Sequence, residues 1–165
     1  AYPVRCAPGD NLMLHAAIYR APPGAIIVVQ AGDLDYAVSG GNVCAVANKR
    51  GIAGFVVDGV IRDLAEVRAD GFPVFARGVS PIPGGKDVPG ILNGVVQCGG
   101  VEVAPGDVVV ADEEGIVVVP AVRQDAVLAA ARQRAASDAA VGLEQWEAEH
   151  HARIDAILLA RGISG

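Results

Sequence analysis

The chain has 165 residues, 52% apolar but only 4% aromatic, which suits one domain with a core of small and β-branched side chains. Its 13 basic residues stand against 19 acidic ones, a net charge of −6, and Lys49 and Lys86 are the only lysines; with no cationic block to grip phosphates, neither nucleic acid nor an anionic membrane is an expected partner. No apolar run is long enough to span a bilayer, and Cys6, Cys44 and Cys98 have neither CxxC nor zinc spacing, so they read as small core residues in a reducing compartment, the cytoplasm.

Residues 2–6 read as a short strand, so the chain is expected to begin inside a longer or disordered start. Pro8-Gly9-Asp10 is a turn, and Asp10 can cap a helix over 11–20 that ends before Pro22-Pro23-Gly24. Ala25–Gln30 is a continuous apolar strand, expected to be buried on both faces. A polar loop over 31–39 leads to Gly40-Gly41-Asn42, which opens a helix that Gly51 stops. Gly54–Val57 is another buried strand, Asp58-Gly59 reads as a turn, 62–70 as a helix and Pro73–Ala76 as a strand. This alternation implies parallel strands joined by crossover helices.

The second part differs. A Pro/Gly loop over 80–90 precedes short strands expected at 91–97, 100–103, 107–111 and 115–119, an antiparallel meander. The whole reads as α/β, a layered β/β/α core over 1–120 followed by a helical tail over 121–165. On that tail Leu143, Trp146, His150, Ile154 and Ile157 form one apolar stripe that packs either on the core or on a neighbouring subunit.

Two stretches can carry chemistry. Arg62 and Asp63 follow a buried strand and open a helix, where α/β sheets gather ligands. A carboxylate there can hold Mg²⁺, and an adjacent guanidinium can fork onto a carboxylate or an enolate oxygen. The competing structural reading is a capping box, in which Asp63 accepts the amide of Glu66 and Arg62 is a surface charge. The second stretch, Gly40, Gly41, Asn42, Val43 and Cys44, exposes successive amides at a helix start and can bind a carboxylate, or can be merely a turn. It is neither a dinucleotide fingerprint nor a Walker loop. His15 reads as a packed or surface histidine rather than a ligand.

Pro8-Gly9-Asp10-Asn11-Leu12 with His15, the run from Arg50-Gly51 through Val56-Val57-Asp58-Gly59 to Arg62-Asp63, and Phe72-Pro73-Val74-Phe75-Ala76-Arg77-Gly78 together resemble the RraA-like family. Gly99-Gly100-Val101 to Pro105-Gly106-Asp107, with Asp112 to Pro120, adds a fourth stretch. The resemblance implies a swivelling-domain-like β/β/α fold, homotrimers or hexamers, and metal-dependent aldol cleavage or oxaloacetate decarboxylation of small 2-oxo acids to pyruvate. It implies Mg²⁺, Mn²⁺ or another divalent metal on Asp63, Arg62 on the 2-oxo group, and amides of Asn42–Cys44 on the substrate carboxylate. Some relatives instead regulate a ribonuclease by protein contact, the alternative reading. One departure stands out: the aldolases usually carry an acid where this chain has Gly41, and Asp33, Asp35 or an acid of a neighbour's tail (Asp138, Glu144 or Glu147) is the expected substitute base.

Overall fold

The computed structural model describes residues 1–163. It divides into two compact units, Ala1–Val122 and the segment from Arg123 onward.

The first unit is built on a five-stranded sheet. Its elements in chain order are β1 (Tyr2–Arg5), α1 (Leu12–Ala17), β2 (Ile26–Gln30), α2 (Gly41–Lys49), β3 (Gly54–Ile61), α3 (Leu64–Asp70), β4 (Val74–Val79) and β5 (Ile91–Leu92). The strand order is β4-β3-β2-β1-β5. The first four strands run parallel, and β5 closes the edge antiparallel to β1. Two antiparallel hairpins follow: β6 (Val96–Cys98) with β7 (Val101–Val103), and β8 (Val108–Asp112) with β9 (Gly115–Val119).

Successive side chains on a strand point to opposite faces, and this alternation divides the core into two layers. Ile27 and Val29 of β2 and Phe55 and Val57 of β3 join Leu14 of α1, Cys44 and Ala47 of α2 and Val67 of α3. Phe55 and Phe72 meet there edge to face, centroids 4.8 Å apart. Val28 and Val56 point the other way and pack with Val96, Val103, Val109 and Val118 of the hairpins. Helices on one face and hairpins on the other are the β/β/α layering expected from the residues.

Three local expectations are corrected. Asp58-Gly59 is not a turn: β3 runs through it to Ile61, with a register shift between Val57 and Val60. The glycine is needed for close approach, since a Cβ at Gly59 would lie 2.4 Å from the Cβ of Ala31. The strand expected at 91–97 is two strands in different sheets, broken at Asn93, which has φ 53°. The helices expected at 11–20 and 62–70 occupy Leu12–Ala17 and Leu64–Asp70.

The second unit holds α4 (Gln124–Ala139) and α5 (Leu143–Ala160). Neither helix contains a buried residue, and Trp146 stacks on His150 one turn away, centroids 4.6 Å apart. No helix among the described residues is long and apolar enough to cross a membrane.

Candidate active site

The loops that leave the carboxyl ends of the parallel strands meet over the sheet, where open α/β sheets bind ligands. They enclose a cleft of about 60 Å³ lined by residues that include Asn11, His15, Gly40, Asn42, Val43, Arg62, Asp63 and Lys86. That is well below the several hundred Å³ of a cofactor pocket. A larger hollow of about 730 Å³ in the helical unit, lined in part by Arg134, Asp138, Trp146 and His150, is an open angle between α4 and α5. Its Arg134–Asp138 ion pair is an exposed i,i+4 contact, so size there does not signify chemistry.

Arg62 is set by its backbone, whose amide donates to Ser39 O at 2.9 Å. Its guanidinium Nε stands 3.5 Å from Asp63 Oδ2, with the two side chains 45% and 30% exposed. Asp63 adopts the left-handed conformation, φ 57°, and its side chain makes no capping bond to its own helix. Instead Oδ2 accepts the amide of Gly41 at 3.0 Å. The capping-box reading therefore fails: the carboxylate turns away from α3 to face the start of α2. The glycines permit this, because a Cβ at Gly40 would lie 2.4 Å from Asp63 Oδ2. A Cβ at Gly41 would lie 2.2 Å from Glu66 Oε2. The space beside position 41, where an acid was expected and is missing, is thus filled by the carboxylate of Glu66 from α3.

Of the five amides singled out at the start of α2, two are spent. Gly41 donates to Asp63, and Cys44 donates to Gly40 O at 3.0 Å as an ordinary helical bond. Cys44 is also fully buried, with Sγ 3.4 Å from Ser39 Oγ, and burial raises its thiol pKa. Gly41 and Cys44 do not line the cleft, while Gly40, Asn42 and Val43 do. The amides of Asn42 and Val43 are the second and third of the helix, positions that have no intrahelical acceptor. Asn42 and Val43 line the cleft together with Arg62.

Asp33 is no base. One of its oxygens accepts the amides of Asp35 at 2.8 Å and Tyr36 at 2.9 Å, and the other accepts that of Gly9. Burial works to raise its pKa, but these three bonds hold it below the ordinary carboxylate value. Neither Asp33 nor the exposed Asp35 lines the cleft.

The lining residues not read as functional include Asn11, His15 and Lys86. Asn11 and His15 lie four apart across the start of α1, hence on one face. Lys86 arrives on the 80–90 loop, which Asp10 ties down. Asp10 is 4% exposed, with Oδ1 accepting Leu12 N at 2.7 Å and Oδ2 accepting Asp87 N at 2.6 Å and Val88 N at 3.0 Å. Desolvation opposes its charge, yet those amides and Lys86 leave its pKa lowered. A depressed carboxyl pKa contributes stability above its unfolded value, near 4, which is lost as pH falls through the folded value. Asp10→Asn should therefore cost about 2–4 kcal/mol at pH 7, and the gap from the parent should shrink in urea melts run towards pH 3.

Whether a divalent metal fits can be judged from the donors. Asp63 Oδ1 has no hydrogen-bond partner among the described residues, and Asn11 Oδ1 is a second unpaired oxygen lining the same cleft. No group of three His, Cys, Asp or Glu gathers among the described residues, so a cage made wholly of protein does not fit. A hard cation on one carboxylate that keeps most of its waters does fit, and Mg²⁺ is commonly held that way.

The RraA-like family model, described as Aldolase/RraA, matches residues 1–118. A protein of Halalkalibacterium halodurans provisionally named 4-hydroxy-4-methyl-2-oxoglutarate aldolase is 43% identical over 138 residues, 83% of this chain and 66% of that one. A Streptomyces coelicolor structure, described as an unusual member of the RNase ES inhibitor RraA protein family, superposes with TM-score 0.73 at 32% identity, covering 91% of this chain and 73% of the other. A Geobacillus kaustophilus structure titled as an S-adenosylmethionine: 2-dimethylmenaquinone methyltransferase gives TM-score 0.66 at 34% identity, covering 72% of this chain and 73% of the other. The chain thus spans about two thirds of the length of the curated relative from H. halodurans.

Proposed function

The chain belongs to the RraA-like family, and from that membership and the cleft we propose that it is a divalent-metal-dependent carbon–carbon lyase that converts small 2-oxo acids to pyruvate through an enolate. One observation carries the reading: Arg62 and Asp63 stand side by side in a cleft that Asn42 and Val43, at the start of α2, also line. Protein-contact regulation would not require that arrangement.

In this reading the amides of Asn42 and Val43 hold the substrate C1 carboxylate. Arg62 donates to the C2 oxygen, which gains negative charge as the carbon–carbon bond breaks. Its donation strengthens as that charge grows, so it lowers the transition state more than the ground state. A divalent cation held by Asp63, with waters, would supply Lewis-acid polarisation of the same oxygen. The substrates we propose are oxaloacetate and a 4-hydroxy-2-oxo acid of the kind named for the relative, 4-hydroxy-4-methyl-2-oxoglutarate. We place the enzyme in the cytoplasm as a homotrimer or hexamer, on the family resemblance.

The test is pyruvate release from each acid. Turnover should appear with added Mg²⁺ or Mn²⁺, vanish with excess EDTA and return on re-addition of metal. A wild-type chain that releases no pyruvate from either acid under any metal leaves the ribonuclease-regulator reading, which the S. coelicolor structure's description favours.

A further inference from the structure

Away from the cleft, the chain turns a corner between β5, which ends at Leu92 in the five-stranded sheet, and β6, which starts at Val96 in a separate hairpin. The corner begins with Asn93 and Gly94, and two demands of the backbone fix that pair. Asn93 has φ 53°, a left-handed conformation that glycine, asparagine and aspartate tolerate best. A Cβ at Gly94 would lie 2.6 Å from Cγ2 of Ile91, a β-branched side chain with little freedom to move aside. The corner therefore selects a residue at ease in the left-handed region followed by glycine. This chain meets the demand with Asn-Gly, the only such pair in its sequence: Asn11, Asn42 and Asn48 are followed by Leu12, Val43 and Lys49.

Asn-Gly is chemically labile because no side chain on the glycine hinders its nitrogen from reaching the asparagine carboxamide. A fold suppresses that attack by burying the carboxamide or by holding the glycine amide in a hydrogen bond. This corner does neither. Asn93 is exposed, and among the described residues neither its carboxamide nor the Gly94 N–H makes a hydrogen bond. We propose that Asn93 is a site of spontaneous deamidation in the folded protein. Gly94 N bonds to Asn93 Cγ, the bond from Cγ to the side-chain nitrogen breaks, and that nitrogen leaves as ammonia with the proton of the Gly94 amide. Water then opens the cyclic imide. Attack at the side-chain carbonyl leaves aspartate in an unaltered chain. Attack at the backbone carbonyl leaves isoaspartate, with the chain rerouted through Cβ and longer by one atom. Either product adds a negative charge at neutral pH. The longer chain finds little slack, because Leu92 packs in one core layer, Ile91 in the other, and Val96 is buried.

The full chain, aged in mildly alkaline buffer made with water enriched in the heavy oxygen isotope, tests this by peptide mass spectrometry at intervals. Ring opening takes its oxygen from solvent, so the label separates ageing from losses during handling. Asn93 should convert at least about tenfold faster than Asn11, Asn42 and Asn48, a barrier lower by about 1.4 kcal/mol. Carboxyl methylation by an isoaspartate methyltransferase should mark the isoaspartyl share of the product. Asn93→Gly keeps the left-handed corner but has no carboxamide, so its peptide should take up no label and stay unmethylated. A second series in guanidinium chloride separates the pair from its fold. The folded rate should lie within about tenfold of the denatured rate, since the corner offers no shielding. A smaller lead over the other three asparagines, or a folded rate more than about tenfold below the denatured one, overturns the site. A product wholly without isoaspartate means direct hydrolysis of the side chain and overturns the ring closure.

Discussion

Arg62→Ala should lower kcat for pyruvate release by about 10²–10³, the usual cost of losing a preorganised donor to a developing oxyanion. KM should move little, since the interaction proposed for Arg62 grows with charge that the bound substrate does not yet carry. Stability should be almost unchanged. The guanidinium side chain is 45% exposed, its ion pair with Asp63 is loose at 3.5 Å, and the bond that fixes this loop is made by the backbone amide to Ser39 O. Urea melts within about 0.5 kcal/mol of the parent would separate a chemical loss from a folding one. Arg62→Lys should recover only part of the rate, because an ammonium lacks the planar fork. A kcat reduced less than fivefold in Arg62→Ala, in a well-folded variant, would remove the guanidinium from the reaction.

How far the residues foretold this site follows from how local each piece is. The parallel strands were readable because Ile26–Val29 of β2 and Phe55–Val57 of β3 are unbroken apolar runs, although the turn expected at Asp58-Gly59 ended β3 four residues early. The pair Arg62–Asp63 was readable for a similar reason, since it sits where such a strand ends. What spacing could not decide was the direction of the Asp63 carboxylate. A residue three before a glutamate at a helix start suggests a capping box, and only the left-handed backbone at Asp63 and the nearness of Gly41, 22 residues earlier, turn it outward. Lys86 was illegible on two counts. It lies in a loop without periodicity, and the bonds that bring that loop to Asp10 span 77 and 78 residues. His15 was visible, but nothing near it in the chain shows that it lines the same cleft as Arg62. Glu66 was assigned to its own helix start, and its place beside Gly41 is a contact between α2 and α3, which the chain connects through β3.

Asp63→Asn should abolish the response to Mg²⁺ and reduce pyruvate release by about 10³ or more, since Lewis-acid stabilisation is worth several kcal/mol at about 1.4 kcal/mol per tenfold. Asparagine is the informative replacement for a structural reason. Position 63 has φ 57°, a conformation that asparagine tolerates and alanine does not, and the asparagine carbonyl can still accept the Gly41 amide. The variant therefore keeps the local fold, with stability expected within about 1 kcal/mol of the parent, and loses the charge that binds a hard cation. Asp63→Ala should lose the same activity and about 1–2 kcal/mol more stability, from backbone strain and the orphaned amide. The decisive measurement is a Mg²⁺ series read both as rate and by calorimetry. An asparagine variant that binds Mg²⁺ with the parent's midpoint would show that the cation sits elsewhere, and the carboxylate that faces the start of α2 would then be a brace for that helix and nothing more.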